Sequence, residues 1–392
     1  MNDSLGHAAG DDLLTVVGRR LRTAIPAGAT AARLGGDEFA VVVPAVTMRS
    51  EAELIARTIL ATLGEPVSVA GGSVPVNASI GIAMSLPGQA AAELLRNADT
   101  AMYAAKGRGK RCFAMFEASM HEAALHRSNL TFDLRRAVGS DEFVVHYQPV
   151  IELATSAVVG AEALVRWQHP TLGLLGPTTF IALAEETGAS RPIAELVLDK
   201  VCALAAGAGL VASDGSPLAL AVNLSAGDLS DSSLPSVLHS IMAKYGTDPS
   251  NLVFEITESV MLSDPDVAIA TLRQLKDLGV QLALDDFGTG CSSLSYLCRL
   301  PVDVLKIAQP FVDDLGRAGQ PPDFIQAIVR LGDSLGLTVI AEGIERAEQV
   351  GMLVGLGCRR GQGNYLAAPM PGDELQAWMA AWPIIGHAAQ LA

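Results

Sequence analysis

The chain has 392 residues, of which 50% are hydrophobic, and a formal net charge of -15 at pH 7, which is enough apolar content for two domains with sizeable cores. The negative charge argues against broad non-specific binding to nucleic acid or to anionic membranes, because those surfaces attract clusters of Lys and Arg. The five cysteines are scattered, no apolar run is long enough to span a membrane and no signal-peptide pattern is present, so we expect a soluble cytoplasmic protein with reduced thiols and no membrane partner.

Residues 1–116 predict a small α/β unit. Apolar residues at helical spacing predict a helix over 8–25, and a hairpin follows, in which strands over 31–34 and 39–43 flank the acidic turn Gly35-Gly36-Asp37-Glu38. Helices are predicted over 49–63 and 91–106, with a strand over 76–84 between them. Residues 116–138 alternate charged and apolar positions at helical spacing, which indicates a helical connector.

Beyond the connector, seven apolar runs of strand-like length each end in a polar residue that a purely structural strand would not require. The runs and the residues that end them are 158–161 with Glu162, 218–222 with Asn223, 252–254 with Glu255, 282–284 with Asp285, 302–305 with Lys306, 337–340 with Glu342, and 358–361 with Gln362.

The last six of these polar residues are 20 to 36 positions apart, and each interval has room for one strand, loop, helix and loop. Helical patterns over 267–278 and 324–335 fill two of the intervals. This organisation is typical of a (β/α)₈ barrel, whose sites gather at the C-terminal ends of the strands. Apolar runs of this kind suit a parallel sheet that is buried on both faces. We therefore predict an α/β chain with a C-terminal TIM-like barrel.

Each polar strand end has a structural explanation when it is taken alone. Asn223 with Ser225, or the pair Asp285-Asp286, could cap a helix, and Glu342 could face solvent. Lys306 is harder to explain in this way, because a Lys inside an apolar strand is almost never buried without a partner. Taken together, the acidic and amide side chains converge on one barrel mouth, and they are the hard oxygen ligands that suit Mg²⁺ or Mn²⁺ rather than Zn²⁺.

A surplus of carboxylates with a shared member suggests two metal ions, which can clamp a phosphodiester between them. Asp285 is the natural bridge in such a site. Lys306 could orient the attacking water or stabilise developing charge, and Arg166, four residues beyond Glu162, could hold a phosphate oxygen.

Several motifs of this half match one family. They are Glu162-Ala-Leu-Val-Arg-Trp167, His169-Pro170, Asn223-Leu-Ser225, Glu255-Ile-Thr-Glu-Ser259, Asp285-Asp-Phe-Gly-Thr-Gly290, Leu305-Lys306 and Gln362-Gly363. Together they closely resemble the EAL domain of bacterial cyclic di-GMP phosphodiesterases, and Leu164 is the third letter of that name. The resemblance covers residues 130 to 392, and its motifs are highly specific. It implies hydrolysis of cyclic di-GMP to linear pGpG with two Mg²⁺ or Mn²⁺ ions, in a homodimer.

The resemblance also implies roles for individual residues. Arg166, Gln362 and Leu164 would contact the substrate, and Glu258 would anchor the loop after Asp286. The first metal would be held by Glu162, Asn223, Glu255 and Asp285, the second by Asp285 and Asp286, and Lys306, Glu342 and Gln362 would complete the site.

Three positions depart from the family. Ala308 stands where an Asp is usual, so a carboxylate near the second metal is missing, and we expect a lower rate. Cys291 replaces a usual Tyr and Asn364 replaces a usual aromatic residue; both changes look tolerable.

The N-terminal unit carries the segments Asn2-Asp3-Ser4-Leu5-Gly6-His7, Gly10-Asp11, Gly35-Gly36-Asp37-Glu38-Phe39 and Tyr103-Ala-Ala-Lys106. These resemble the GGDEF domain, a ferredoxin-like fold of the nucleotide-cyclase type that is found in diguanylate cyclases. The resemblance assigns Asn2 and Asp11 to guanine binding, Asp37 and Glu38 to the acidic turn, and Lys106 with Lys110 to phosphate binding.

The family places a strand with a metal-binding Asp directly before the position of Asn2, where this chain has only Met1. We therefore expect a GGDEF domain that lacks its first strand and cyclises poorly or not at all, with the native start, and a sensor region, further upstream. The family's inhibitory Arg-x-x-Asp site falls on Pro26-Ala-Gly-Ala29 and is absent.

We expect a truncated GGDEF domain over 1–116, a helical linker over 117–132 and an EAL domain over 133–392. The favoured function is a metal-dependent cyclic di-GMP phosphodiesterase with a regulatory GGDEF domain that could sense GTP. One alternative is a non-catalytic cyclic di-GMP receptor. The other is a bifunctional cyclase and phosphodiesterase, which requires a chain that extends upstream.

Overall fold

The computed structural model describes residues 2–69, 72–74, 76–107, 111–208, 210–212, 215–258, 265–289, 297–316 and 323–382. The chain divides into two compact units, Met1–Asn129 and Leu130–Ala392. The division falls inside the predicted linker, while the finer boundaries at 116 and 132 stay predictions. Within the described ranges, none of the helices combines the length and the apolar character needed to cross a bilayer.

The first unit contains the predicted hairpin and helices. Its elements are α1 Asn2–Ala24, β1 Thr30–Gly35, β2 Glu38–Val42, α2 Arg49–Gly64, β3 Val67–Val69, β4 Gly72–Val74, β5 Ile80–Ile82, α3 Ala91–Gly107 and β6 Phe113–Met115. Helix α4, Ser119–Ala137, begins in the first unit and ends in the second. The strand predicted over 76–84 is shorter than expected, and it pairs in parallel with β6. Gly81 lets α3 lie directly on β5, since a Cβ there would collide with the backbone of Ala98 and Met102.

The second unit alternates strands and helices. Its strands are β7 Phe143–Glu152, β8 Ala157–His169, β9 Gly173–Leu175, β10 Ala219–Leu224, β11 Leu252–Thr257, β12 Gln281–Phe287, β13 Val304–Ile307, β14 Thr338–Ala341, β15 Arg360–Gly361 and β16 Met370–Pro371. Its helices are α5 Pro177–Thr187, α6 Ser190–Ala208, α7 Ala226–Leu229, α8 Leu234–Tyr245, α9 Pro265–Asp277, α10 Gln309–Asp313, α11 Asp323–Leu335, α12 Ala347–Gly355 and α13 Gly372–Ala381.

Eight strands close into a barrel, which confirms the predicted TIM-like fold. Neighbouring strands from β8 through β10 to β15 are parallel, whereas β7 runs antiparallel to both β8 and β15 and closes the ring. Strand β7 was not predicted from the sequence, and it contains Pro149, a residue that is normally excluded from interior strands.

The barrel interior has an apolar floor beneath its mouth. Val150, Ala221, Val253, Ala283, Val304 and Ile340 form this inner cluster. On five strands the polar residue lies two positions after a floor residue, as Ala221 precedes Asn223 and Val304 precedes Lys306. Side chains two apart in a strand lie on the same face. The polar residues at the strand ends therefore lie on the interior face of the barrel, directly above the floor.

Candidate functional site

Lys306 lies at the centre of the barrel mouth. Its side chain is fully buried, and its Nζ contacts four carboxylates: Glu342 Oε1 at 2.6 Å, Glu255 Oε2 at 2.8 Å, Glu162 Oε2 at 3.1 Å and Asp285 Oδ1 at 3.4 Å. The partners that a buried Lys requires are therefore supplied by four different strand ends.

Glu162 is the second centre of the site. Asn223 Nδ2 donates to Glu162 Oε1 at 2.8 Å, and Gln362 Nε2 donates to Glu162 Oε2 at 2.6 Å and to Glu342 Oε1 at 3.1 Å. The predicted residues on β8, on β10 and directly after β15 thus meet in one hydrogen-bonded network, although Glu162 and Gln362 are 200 residues apart in sequence.

The pKa values of these groups follow from burial and from shared charge. Burial would raise the pKa of Glu162, but Lys306 and the amides of Gln362 and Asn223 hold it below its ordinary value. Burial and the nearby Glu162 raise the pKa of Glu255 well above its ordinary value. For Lys306, burial opposes the charge, yet the surrounding carboxylates raise its pKa well above the usual range.

Asp285, Asp286 and Glu342 form a second acidic group, in which one ligand atom from each lies within 4.8 Å of the others. Asp285 is buried and accepts the backbone N–H of Asp286 at 2.8 Å. Asp286 is exposed and adopts a φ of 54°, in the left-handed region that is uncommon for residues other than Gly. Such backbone strain is often found at binding sites.

The donor set fits a hard divalent cation. The site offers the carboxylates of Glu162, Glu255, Asp285 and Asp286 and the amide of Asn223, all of which carry oxygen ligands of the kind that Mg²⁺ and Mn²⁺ prefer. A second observation supports a bound cation: Oε1 of Gln362 is buried and has no hydrogen-bond partner among the described residues. A buried acceptor of this kind is normally paired.

The other predicted barrel residues occupy the same region. Leu164 and Arg166 follow Glu162 on the same face of β8, and Arg166 Nη1 donates to Val165 O at 2.9 Å. Burial lowers the pKa of Arg166, and the charge of Glu162 opposes that shift. Glu258 is buried just after β11.

Asn223 and Ser225, which could both have capped a helix, have different roles. Ser225 does cap a helix: it is the N-cap of α7 and forms a capping box with Asp228. Asn223 instead donates to Glu162.

The departures from the family also have defined places. Ala308 is fully buried at the N-cap of α10, where no side chain caps the helix. Asn364 is exposed beyond β15. Cys291 lies outside the described residues.

One polar residue at the site was not predicted. Gln148 is buried opposite Glu162 on β7, and its Nε2 donates to Ala367 O at 3.1 Å. The available signal was a polar side chain inside an apolar run, which is also the signal that identified Lys306.

The residues assigned to nucleotide binding in the first unit lie on three elements. Asp37 and Glu38 are exposed at the tight turn between β1 and β2, where Arg33 Nε donates to Gly36 O at 2.9 Å. Asp11 is exposed on α1 and Lys106 on the last turn of α3. The side chain of Asn2 and the whole of Lys110 lie outside the described residues.

The comparisons with known proteins match both units. A family model for the EAL domain matches residues 132–369, and one for the diguanylate cyclase GGDEF domain matches residues 1–112. An uncharacterized signaling protein of Caulobacter vibrioides is 41% identical over 97% of this chain and 46% of its own length. MucR of Pseudomonas aeruginosa, described as a bifunctional diguanylate cyclase and cyclic di-GMP phosphodiesterase, is 39% identical over 97% of this chain and 55% of its own length.

The structure of the PaMucR phosphodiesterase in complex with c-di-GMP superimposes with a TM-score of 0.59 and 39% identity, and covers 63% of this chain and 99% of that one. The chain spans about half the length of the Caulobacter vibrioides protein and of MucR.

Proposed function

This chain belongs to the EAL domain family and carries a GGDEF domain ahead of its EAL domain, and from that premise we propose that it is a metal-dependent phosphodiesterase that hydrolyses cyclic di-GMP to linear pGpG. The observation that carries the proposal is the group of acidic strand ends around Lys306 at the barrel mouth. The 39% identical structure is described as a c-di-GMP complex, which supports the choice of substrate.

We assign the first cation to Glu162, Asn223, Glu255 and Asp285, and the second to Asp285 and Asp286. Bound Mg²⁺ or Mn²⁺ would neutralise phosphodiester charge and lower the pKa of a water molecule toward roughly 7. Asp285 suits the bridging role because it is buried and belongs to the acidic group with Asp286.

The chain's own cations would act on the phosphate. Lys306 is held protonated by its four carboxylate partners, so it supplies a fixed positive charge where negative charge develops on phosphorus. Arg166 would bind a phosphate oxygen, since guanidinium groups match phosphate geometry. Gln362, which contacts both Glu162 and Glu342, holds the two carboxylates in place, and Glu258 would anchor the loop that follows Asp286.

The proposal is tested by incubating the purified chain with cyclic di-GMP and Mg²⁺ or Mn²⁺ and by following pGpG by chromatography. Formation of pGpG supports the phosphodiesterase. Binding of cyclic di-GMP without any product at any metal concentration would contradict it. A parallel incubation with GTP tests the regulatory role that we propose for the GGDEF domain, for which we expect GTP binding with little or no cyclic di-GMP formed.

Metal binding is expected to tighten as the pH rises toward 8. Burial raises the pKa of the Glu342 carboxyl to about 8, against the opposing charge of Lys306. Below that pH the group is mostly protonated in the metal-free protein. A cation held by Asp285 and Asp286 would lie beside Glu342 and displace its proton, so the apparent affinity should rise up to about tenfold per pH unit before levelling off. Titration with Mn²⁺ by calorimetry between pH 6.5 and 9 measures this. In Glu342→Gln the slope should be smaller. An equal slope there would show that another group with a raised pKa, such as Glu255, releases the proton instead of Glu342.

The receptor remains a second candidate because of Ala308. The side chain is fully buried at the N-cap of α10, so no carboxylate is present at the position where the family usually has one. A receptor would bind cyclic di-GMP at the same mouth and release it unchanged.

Restoring the carboxylate with Ala308→Asp is expected to increase the rate of pGpG formation by roughly tenfold, which is within the range for residues that support metal ligands. Asp is also a favoured N-cap residue, so the backbone of α10 can accommodate it. Ala308→Asn is the matched control, because it has similar shape and capping capacity without the charge. An equal gain from both variants would show that capping, not the carboxylate, limits the rate.

A further inference from the structure

Strand β8 extends beyond the closed ring of the barrel. Its pairing with β10 ends where Ala163 meets Val222, whereas its pairing with β7 continues until Trp167 meets Phe143. Glu162 therefore lies inside the ring, with strands on both sides. Arg166 lies on the extension, opposite Val144 of β7 and next to Trp167, where β9 begins to pair on the other side. Its guanidinium donates to Val165 O of the same strand, so its place depends on where this part of β8 is held.

The two faces of this extension have different roles. Side chains alternate along a strand, so Glu162, Leu164 and Arg166 share the face of the site. Trp167 and His169 lie on the opposite face, where they are 0% and 4% exposed. The Trp167 ring packs against Phe180 with the ring centroids 5.7 Å apart. The position of the extension therefore depends on the contacts of these two side chains as well as on its pairing with β7 and β9.

Trp167 is held by Glu142, which precedes β7. The indole Nε1–H donates to Glu142 Oε2 at 3.0 Å, and the backbone N–H of Gln168 donates to Glu142 O at 2.7 Å. One residue thus fixes both the side chain and the main chain of β8 immediately after Arg166.

His169 is held by helix α4. Its Nδ1 accepts the backbone N–H groups of Thr171 and Leu172, each at 3.3 Å, which leaves the ring proton on Nε2. That nitrogen lies 3.3 Å from Asp133 Oδ2 on α4. Arg136, also on α4, lies 3.6 Å from both Asp133 and Glu142 and joins the two carboxylates.

We propose that Glu142 and Asp133 are positioning residues, which act through Trp167 and His169 to hold Arg166 where it can bind a phosphate of the substrate. The inference rests on the proposed function, because it takes Arg166 to be the phosphate ligand. Neither carboxylate is on the face of β8 that carries Glu162 and Arg166, so their effect on the substrate is indirect. Losing either contact should weaken substrate binding and leave the metal ligands in place.

Trp167→Phe in the full chain tests this, since it keeps an aromatic ring and removes the indole N–H. The KM for cyclic di-GMP should rise by roughly tenfold, because a misplacement of about 1 Å can cost even more. The kcat and the affinity for Mn²⁺ should change little, because Arg166 is taken to bind phosphate equally in the ground state and the transition state, and the loss of such uniform binding raises KM alone.

Trp382→Phe is the matched control, because its indole Nε1 donates to Ser156 O at 2.7 Å, just before the other end of the same strand. It should leave KM unchanged. Glu142→Leu is a second variant, in case Trp167→Phe unfolds, because it removes the acceptor of the indole N–H and keeps a side chain of similar size. Calorimetric binding of cyclic di-GMP should give the same ranking without turnover.

The decisive measurement is the effect of Trp167→Phe in an Arg166→Ala background. If Trp167 acts through Arg166, the second substitution adds nothing to the rise in KM. The inference would be overturned if Trp167→Phe raised KM in the Arg166→Ala background as much as it does in the wild-type chain. It would also be overturned if the single variants at positions 142 and 167 both left KM and Kd unchanged. Failure of the wild-type chain to form pGpG would instead count against the proposed function, and the binding measurements would still decide the positioning role.

Discussion

Glu162→Gln is expected to abolish hydrolysis of cyclic di-GMP, with a fall in kcat of roughly 10²–10³-fold or more, because it removes one charged ligand and disturbs the groups that surround it. Glu162 accepts hydrogen bonds from Asn223, Gln362 and Lys306. The substitution replaces one carboxylate oxygen with an NH₂ group, which would face Asn223 at the position of Oε1, or Gln362 and Lys306 at the position of Oε2. Metal affinity should fall together with the rate.

Glu152→Gln is the matched control for this variant. Glu152 lies at the far end of β7, beside the start of β8, and its side chain is 3.6 Å from Arg360 in a partly exposed ion pair. The control changes the same residue type in the same way, but Glu152 lies away from the barrel mouth. The kcat and metal affinity of Glu152→Gln should therefore match those of the wild-type chain. If the kcat of Glu162→Gln were about a tenth of the wild-type value or more, the assignment of Glu162 as a metal ligand would be wrong.

The positions of the site residues could be predicted from sequence because two simple rules apply to each strand. A buried apolar run ends where its polar residue begins, and side chains two apart share a face. Ala221 and Asn223, or Val304 and Lys306, follow both rules. In a barrel, all such strand ends meet at one mouth, so their convergence required no knowledge of individual contacts.

What the sequence could not predict depends on how distant strands pair. The antiparallel β7 was not predicted, and neither was Gln148, which lies on it opposite Glu162. Asn223 and Ser225 were equally good candidates for a helix cap, and only the pairing of β10 with β8 places Asn223 against Glu162. The charge pattern around Lys306 is likewise a consequence of barrel closure, since its partners come from four other segments.

Lys306→Met is expected to destabilise the metal-free barrel by about 3–5 kcal/mol, the usual effect of removing one partner from a buried ion pair. The side chain is fully buried and its charge is shared by four carboxylates. Without that charge, Glu162, Glu255, Asp285 and Glu342 would repel one another in a site with little water. The free energy of unfolding in EDTA, from denaturant titration, measures the loss.

Lys276→Met is the matched control, because its Nζ lies 2.7 Å from Asp303 Oδ2 in an ion pair whose side chains are about one-third exposed. Such pairs contribute at most about 1 kcal/mol. Mn²⁺ should restore much of the stability of Lys306→Met, since a divalent cation can neutralise the same carboxylates. Lowering the pH should also reduce its deficit, because carboxylates with raised pKa values take up protons and lose their repulsion. If Lys306→Met and the wild-type chain were equally stable in EDTA at pH 8, Lys306 would not balance the acidic charge. If the variant were less stable and neither Mn²⁺ nor acid reduced the difference, the loss would come from packing instead.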